Sequence, residues 1–208
     1  MPAGLGLANG PIGRYLREYG TEPGTVSRAV TAAVQGLRSG GVAATVKHFP
    51  GLGRVTGNTD STAAGTTDGV TTPTDPYLDP FRAGIAAGAQ LVMVSSARYP
   101  RLDPANQAMF SPAVVTGLLR GGLGFAGVVI SDDVGLSKSV SAVAPGERAT
   151  RFVGAGGDIV ITADAALAPA MAAAIASRAA RDAPFAAQVT ASARRVVALK
   201  QQLGLVRC

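Results

Sequence analysis

The feature that most constrains the fold of this chain is a repeated alternation of amphipathic helical segments with short, continuous apolar runs. The apolar runs, rich in β-branched residues and bounded by Gly or Pro, span 42–49, 90–97, 125–133 and 158–164. Helical patterns cover 25–41, 78–89, 111–124, 144–157, 165–181 and 184–203. Apolar runs without alternation indicate strands that are covered on both faces, so the sequence predicts a parallel sheet flanked by helices.

Polar or ionisable groups follow every predicted strand. They are Lys47-His48, Ser95-Ser96-Arg98, Ser131-Asp132-Asp133 and Thr162-Asp164. An open doubly wound sheet and a TIM barrel both fit the alternation, but four polar strand ends in succession favour a barrel mouth. A full barrel needs about 250 residues. We therefore predict an α/β fold of the parallel (β/α) TIM-barrel type, incomplete, as a single partial domain over 1–208 with its first strands missing.

Composition excludes several classes of protein. Hydrophobic residues make up 47 % of the 208-residue chain, so it is not disordered. The net charge is +6, but the arginines are scattered and form no basic run, so we do not expect nucleic-acid binding. No apolar stretch is long enough to predict a membrane span, and residues 1–15 do not have the pattern expected of a signal peptide. Cys208 is the only cysteine, which leaves no intramolecular disulfide.

The stretch KHFPGLGRVTGNTD, residues 47–60, gathers a cation, the only histidine, a glycine-rich loop and a carboxylate. Its glycine spacing fits neither a dinucleotide-binding loop nor a Walker loop. Lys47 could form a Schiff base, but a role in binding a polar ligand is favoured, because nothing nearby predicts the depressed pKa that such a lysine needs. With no second His and no Cys beside it, His48 does not predict a zinc site.

The adjacent carboxylates Asp132 and Asp133 are the strongest chemical feature of the sequence. They end a buried strand, and buried Asp is rare unless it is paired or functional. Since successive strand residues point to opposite faces, one is expected to face the barrel mouth and the other to cap a turn or pair with a cation. Asp60, in a Gly/Thr-rich loop, is either the second carboxylate of a glycosidase pair or an Asx-turn former.

These motifs together resemble the catalytic domain of glycoside hydrolase family 3, in its β-N-acetylhexosaminidase branch. The family signature is K-H-F-P-G-H-G, four residues and D-S-H, followed later by a G-F-x-G-V-[IV]-x-[ST]-D strand. This chain has VKHFPGLG and GFAGVVISDDVG in that order, with LVMVSSARYPRLDP between them. The resemblance extends over about residues 10–200.

The resemblance implies a role for each matched residue. Asp132 would be the nucleophile of a retaining glycosidase, with Asp133 in support. Lys47 and His48 would bind sugar hydroxyls. We also expect Asn58 and Arg98 to contact the substrate. No cofactor and no metal are implied.

Two departures from the family pattern affect these expectations. In the family the acid/base is the His of D-S-H, but without gaps this chain has Asn58, Thr59 and Asp60 there. Asp60 therefore becomes the expected acid/base. A two-residue insertion would place Thr62 at the His position instead, and Asp68 is a more distant substitute. The D-x-E-G-G segment of the family's first strands is also absent, which predicts an N-terminally truncated domain.

The resulting expectation is a glycosidase that removes terminal β-linked N-acetylhexosamine from a small carbohydrate or muropeptide. A non-catalytic carbohydrate-binding pseudoenzyme and, less favoured, a Schiff-base lyase using Lys47 are the alternatives. The choice of N-acetylglucosamine over glucose rests on the resemblance alone. Localisation and oligomeric state are left open by the sequence.

Overall fold

A four-stranded parallel sheet forms the centre of the structure. The computed structural model describes residues 5–206, so Cys208 lies outside the described residues. The strands are β1 (Thr45–Phe49), β2 (Leu91–Val94), β3 (Val128–Asp133) and β4 (Ile159–Ile161). All three pairs are parallel, and the strands lie side by side in chain order. A doubly wound sheet reverses its strand order at a switch point. The unbroken order therefore confirms the barrel-type prediction, with four strands present.

Helices connect the strands where the sequence predicts them. The α-helices are α1 (Pro23–Ser39), α2 (Asp79–Ala86), α3 (Pro145–Gly154), α4 (Ala168–Ala179) and α5 (Ala183–Gln202). The segment between β2 and β3 is wound as a π-helix over Ala113–Gly122, which periodicity alone did not predict. Its predicted N-cap is confirmed, since the Ser111 hydroxyl accepts a hydrogen bond from the Val114 amide at 3.1 Å.

The strands are shorter than the apolar runs that predicted them. Phe125 and Ala97 lie inside two of those runs and are buried, yet they lie outside β3 and β2. They pack in the turns at the strand ends instead of pairing in the sheet. The apolar pattern indicates burial, whereas strand bounds are set by hydrogen bonding between neighbouring strands. The predicted segments therefore extend beyond the paired residues.

The hydrophobic core lies between the helices and one face of the sheet. Val46, Val92 and Val129 are aligned on that face by the strand register and are all buried. Phe49 contacts Phe81 of α2 edge-on, with ring centroids 5.2 Å apart. On the opposite face Lys47 is exposed and Met93 is half-buried. Burial on both faces, which the continuous apolar runs predicted, is therefore complete on the helix side only in the described part of the chain.

Candidate active site

Polar groups from three of the four strands meet at one edge of the sheet. Lys47 and His48 lie in the last residues of β1, Asp132 and Asp133 end β3, and Thr162 directly follows β4. Because the strands are parallel, these positions share the carboxyl edge, where parallel α/β folds place their ligand sites. The structure thus brings together residues that are more than 80 positions apart in the sequence.

Asp132 is the carboxylate of the pair that faces the site. It is half-buried, and burial raises its pKa to about 6. The Asp133 amide opposes that rise by donating to Asp132 Oδ1 at 3.0 Å. The negative charge of Asp60 raises the pKa further, and the positive charge of Lys47 lowers it. Asp60, Lys47 and Asp132 are therefore close enough to interact electrostatically.

Asp133 is fixed in the backbone instead. Its Oδ1 accepts from the amides of Ala163 at 2.7 Å and Gly135 at 2.9 Å, and its Oδ2 accepts from Leu136 at 2.9 Å. Burial acts to raise the pKa of Asp133, but these backbone donors outweigh it and leave the pKa lowered. The carboxylate thus caps the turn after β3 and ties it to the end of β4, which matches one of the two roles expected for the Asp-Asp pair.

Asp60 lies on a long connection between β1 and α2. Its own amide donates to Asn58 Oδ1 at 3.0 Å, so the side chain that forms an Asx turn here is Asn58 and not Asp60, the residue for which the sequence left that role open. The Asp60 side chain is exposed. The loop is held against the segment that follows β3, because the Lys138 amide donates to the Asp60 carbonyl at 3.1 Å. Asp60 therefore lies in a turn formed by Asn58, on a loop that is held against the segment after β3.

Lys47 and His48 occupy different environments although they are adjacent. Lys47 is exposed on the face that Asp132 shares, whereas His48 is buried with 8 % of its surface exposed. Burial, followed by the charges of Lys47 and Arg17, lowers the pKa of His48 to about 3. Its Nδ1 atom is buried and has no hydrogen-bond partner among the described residues. The imidazole is therefore neutral, and one of its ring nitrogens is enclosed without a hydrogen-bond partner among the described residues.

Arg98 and Asp68 lie in a bridge between two loops. The Asp68 amide donates to the Arg98 carbonyl at 2.9 Å, and the exposed Arg98 guanidinium reaches the Ala105 carbonyl at 3.4 Å. Asp68 is buried and its Oδ2 accepts from the Thr71 hydroxyl at 2.6 Å. Those bonds engage Asp68 in its own turn, and its role as a substitute acid stays an untested alternative. A role for Arg98 in substrate binding stays a prediction.

Three residues that shape the site were missed by the sequence analysis. Ser137 and Ser139 hold the loop that carries Asp60, and the buried Arg148 of α3 holds the segment after β3. Serines in a loop carry no periodic signal. Arg148 falls on the buried side of an amphipathic helix, where a charge is unusual. A charged residue on the buried face of α3 is the signal that could have identified Arg148. Recognising it requires knowing which face of the helix is buried.

Comparison with known proteins assigns the family. Residues 7–199 match the glycosyl hydrolase family 3 N-terminal domain. The chain therefore belongs to glycoside hydrolase family 3, as its motifs predicted. A beta-hexosaminidase of Stenotrophomonas maltophilia (strain K279a) is 40 % identical over 166 residues, which cover 76 % of this chain and 46 % of that protein.

Solved structures agree with this assignment. The beta-N-acetylhexosaminidase from Beutenbergia cavernae DSM 12333 superposes with a TM-score of 0.92 at 46 % identity, covering 95 % of this chain and 58 % of that one. A family 3 beta-N-acetylglucosaminidase from Paenibacillus sp. str. FPU-7 gives a TM-score of 0.85 at 32 % identity, covering 95 % and 38 %. The chain spans about half the length of the curated relatives that it matches.

Proposed function

We propose that this chain acts in the retaining hydrolysis of terminal β-linked N-acetylhexosamine residues. The observation that carries the proposal is Asp132, a half-buried carboxylate at the end of β3 with its pKa raised to about 6, which interacts with the charges of Asp60 and Lys47. Above that pH it is ionised and can attack an anomeric carbon. The relatives named beta-hexosaminidase and beta-N-acetylglucosaminidase support the substrate class.

The chemistry divides between the two carboxyl groups. Asp132 attacks the anomeric carbon and forms a glycosyl ester, while Asp60 donates a proton to the departing oxygen. Asp60 then accepts a proton from water, which hydrolyses the ester and releases the sugar with its configuration retained. Lys47 and His48 bind sugar hydroxyls, His48 as a neutral imidazole. The sugar is expected to come from peptidoglycan fragments such as muropeptides, and no cofactor takes part.

A covalent-trapping experiment tests this proposal. The chain is incubated with a 5-fluoro-N-acetylglucosaminyl fluoride, whose ester with the nucleophile is long-lived, and the labelled peptide is identified by mass spectrometry. We expect one label on Asp132, its loss in Asp132→Asn and its retention in Lys138→Ala, which removes an exposed cation from the neighbouring loop. A label elsewhere, or release of an α-configured sugar from a chromogenic β-glycoside, contradicts the proposal.

A carbohydrate-binding role without catalysis is the second candidate. It is favoured by the absence of a histidine at the family's acid/base position, since His48 is the only histidine in the chain. In that case N-acetylglucosamine binds with an affinity that Lys47→Ala lowers, but the fluoride leaves no label. Borohydride trapping of a carbonyl substrate on Lys47 is the signature of a Schiff-base lyase. That result would contradict both the glycosidase and the carbohydrate-binding proposals.

A further inference from the structure

Buried hydroxyls connect the end of β2 to the loop that carries Asp60. Ser139 Oγ lies 2.8 Å from Ser96 Oγ and 3.0 Å from Ser137 Oγ, and the Ser137 hydroxyl donates to the Thr59 carbonyl at 2.7 Å. Ser96, Ser137 and Thr59 are each exposed by 2 % or less. We call Ser96, Ser137 and Ser139 the serine clasp. The clasp reaches the Asp60 loop at the Thr59 carbonyl, one residue before Asp60.

Backbone bonds run beside the serine clasp and depend on the same placement. The Ser139 amide donates to the Thr59 carbonyl and the Lys138 amide donates to the Asp60 carbonyl, both at 3.1 Å. Gln107 braces the clasp, because its Nε2 donates to the Ser139 carbonyl at 2.7 Å and to the Ser96 carbonyl at 2.9 Å. Thr59 O thus accepts two hydrogen bonds, which occupy both lone pairs of a carbonyl that is out of contact with water.

The other side of the clasp is anchored to the strand that bears Asp132. Arg148 donates through Nη1 to the Val134 carbonyl and through Nε to the Val143 carbonyl, each at 2.6 Å. The segment 134–143 is therefore fastened at both ends, and Ser137 and Ser139 lie between those points. Since β3 leads directly into this segment, the position of the clasp is fixed relative to Asp132.

The placement of Asp60 follows from these contacts. Its side chain is exposed, so packing does not set its position, and its backbone is held at the carbonyl by Lys138 and at the preceding residue by Ser137. An exposed carboxylate on a connection as long as 50–75 otherwise samples many positions. Acid catalysis requires it to stay within reach of the leaving oxygen.

We propose that Ser137 and Ser139 are positioning residues that hold Asp60 beside Asp132 for proton transfer. The inference rests on the proposed glycosidase function, because it deepens the role given there to Asp60. Neither serine contacts the substrate in this scheme. Both act through the backbone of residues 59–60.

The test compares Ser137→Ala and Ser139→Ala with Ser141→Ala. Ser141 lies in the same segment, and its exposed hydroxyl donates to the Lys138 carbonyl, outside the clasp. Hydrogen exchange of the Lys138 and Ser139 amides is measured first and does not depend on activity. We expect exchange to accelerate about tenfold in the two clasp variants, as for the loss of one buried hydrogen bond, and to stay unchanged in Ser141→Ala.

Kinetics with two aryl N-acetylglucosaminides then separate positioning from general damage. A phenyl leaving group needs a proton from the acid, whereas a 2,4-dinitrophenyl group departs without one. In Ser137→Ala we expect kcat/KM to fall about 10- to 100-fold for the phenyl glycoside and less than about threefold for the dinitrophenyl glycoside. Azide is an anionic nucleophile that attacks the glycosyl ester in place of water and needs no general base. It should restore turnover of the dinitrophenyl substrate where hydrolysis of the ester is limiting.

Each outcome decides the inference. Equal losses on both glycosides show a structural defect and overturn the positioning role. Unchanged amide exchange in Ser137→Ala overturns the clasp whatever the activity. A wild-type chain that hydrolyses neither glycoside removes the proposed function and the catalytic consequence with it, while the exchange measurement still decides whether the clasp holds the loop.

Discussion

Asp132 illustrates how a buried carboxylate opposes stability. Burial raises its pKa from 3.8 to about 6, so the folded protein prefers the neutral carboxyl group. Its contribution to stability is present below pH 3.8 and is lost as the pH rises through 6. At pH 7 the buried charge lowers the free energy of unfolding by about 3 kcal/mol, since one pKa unit corresponds to about 1.4 kcal/mol.

Asp132→Asn should therefore stabilise the protein by up to about 3 kcal/mol at pH 7 and by much less at pH 4. Urea unfolding at the two pH values measures the difference. Asp133→Ala is the matched contrast, because it removes the acceptor of three backbone amides and should cost about 2 kcal/mol or more at pH 7. Equal destabilisation by both substitutions would contradict the different roles of the two carboxylates.

His48 provides a second test at the residue scale. Burial and the charges of Lys47 and Arg17 lower its pKa to about 3, below the ordinary 6.5. The stability that it contributes is present above pH 6.5 and declines as the pH falls from there toward 3, because only the unfolded chain takes up the proton.

Because the chain has a single histidine, the Hε1 proton of its imidazole gives one resonance by NMR. We expect that chemical shift to stay constant from pH 8 to pH 5 in the folded protein. In the urea-unfolded protein the same resonance should titrate near 6.5. A folded-state titration near pH 6 would show a solvated imidazole and would remove the neutral acceptor from the proposed sugar site.

Among the elements, α2 and β1 meet at a contact that depends on one glycine. A Cβ atom on Gly84 would lie 2.6 Å from Val46 Cγ1 and 3.0 Å from Val30 Cγ1, and β-branched side chains have little freedom to move away. Gly36 in α1 is exposed, and a Cβ there would meet nothing within 4 Å. A side chain at Gly84 would therefore clash with its neighbours, whereas a side chain at Gly36 would be accommodated in open space.

We expect Gly84→Ala to destabilise the protein by about 1–3 kcal/mol through overpacking. Gly36→Ala should stabilise it by about 0.5–1 kcal/mol, since alanine is the better helix former. Thermal or urea unfolding of the two variants measures both effects on one scale. If Gly84→Ala were neutral, the close approach of α2 to β1 would be wrong.

Also at the element scale, the alternation of helical patterns with apolar runs in the sequence predicted every helix and strand that carries the site. Periodicity is local, so it located β1 through β4 to within a few residues. The π-helical winding of Ala113–Gly122 escaped it. Predicted hydrophobic spacing does not distinguish i→i+5 from i→i+4 hydrogen bonding over a ten-residue segment.

For the whole molecule, the amino edge of the sheet is held by one carboxylate. The Asp158 side chain is fully buried, and its two oxygens accept from Arg120 at 2.7 Å, from Arg195 at 2.9 Å and from the Val129 amide at 2.8 Å. It thereby joins the π-helix, α5 and β3. The active-site groups lie at the opposite, carboxyl edge.

Asp158→Ala should cost about 3 kcal/mol, because it leaves two cations without their partner. Arg195→Ala should cost less than about 1 kcal/mol, since that guanidinium is 35 % exposed and partly screened. Trapping of the fluoro sugar on Asp132 should persist in both variants under conditions where they stay folded. Loss of labelling in a folded Asp158→Ala protein would show that the two edges are coupled.

In the part of the chain that the structure describes, no helix is long and apolar enough to cross a membrane.

The sequence by itself determined the parallel α/β class, the four strand positions, and the motifs that place this chain in family 3. Those properties follow from residue type and short-range periodicity. Only the tertiary structure decided that Asp132 faces the site while Asp133 caps a turn, and that His48 is neutral. It also decided that the loop carrying Asp60 is fastened to the segment after β3, because the bond from Ser137 to Thr59 joins residues 78 positions apart. Contacts at that separation leave no pattern in a single sequence, since their geometry exists only after the chain has folded.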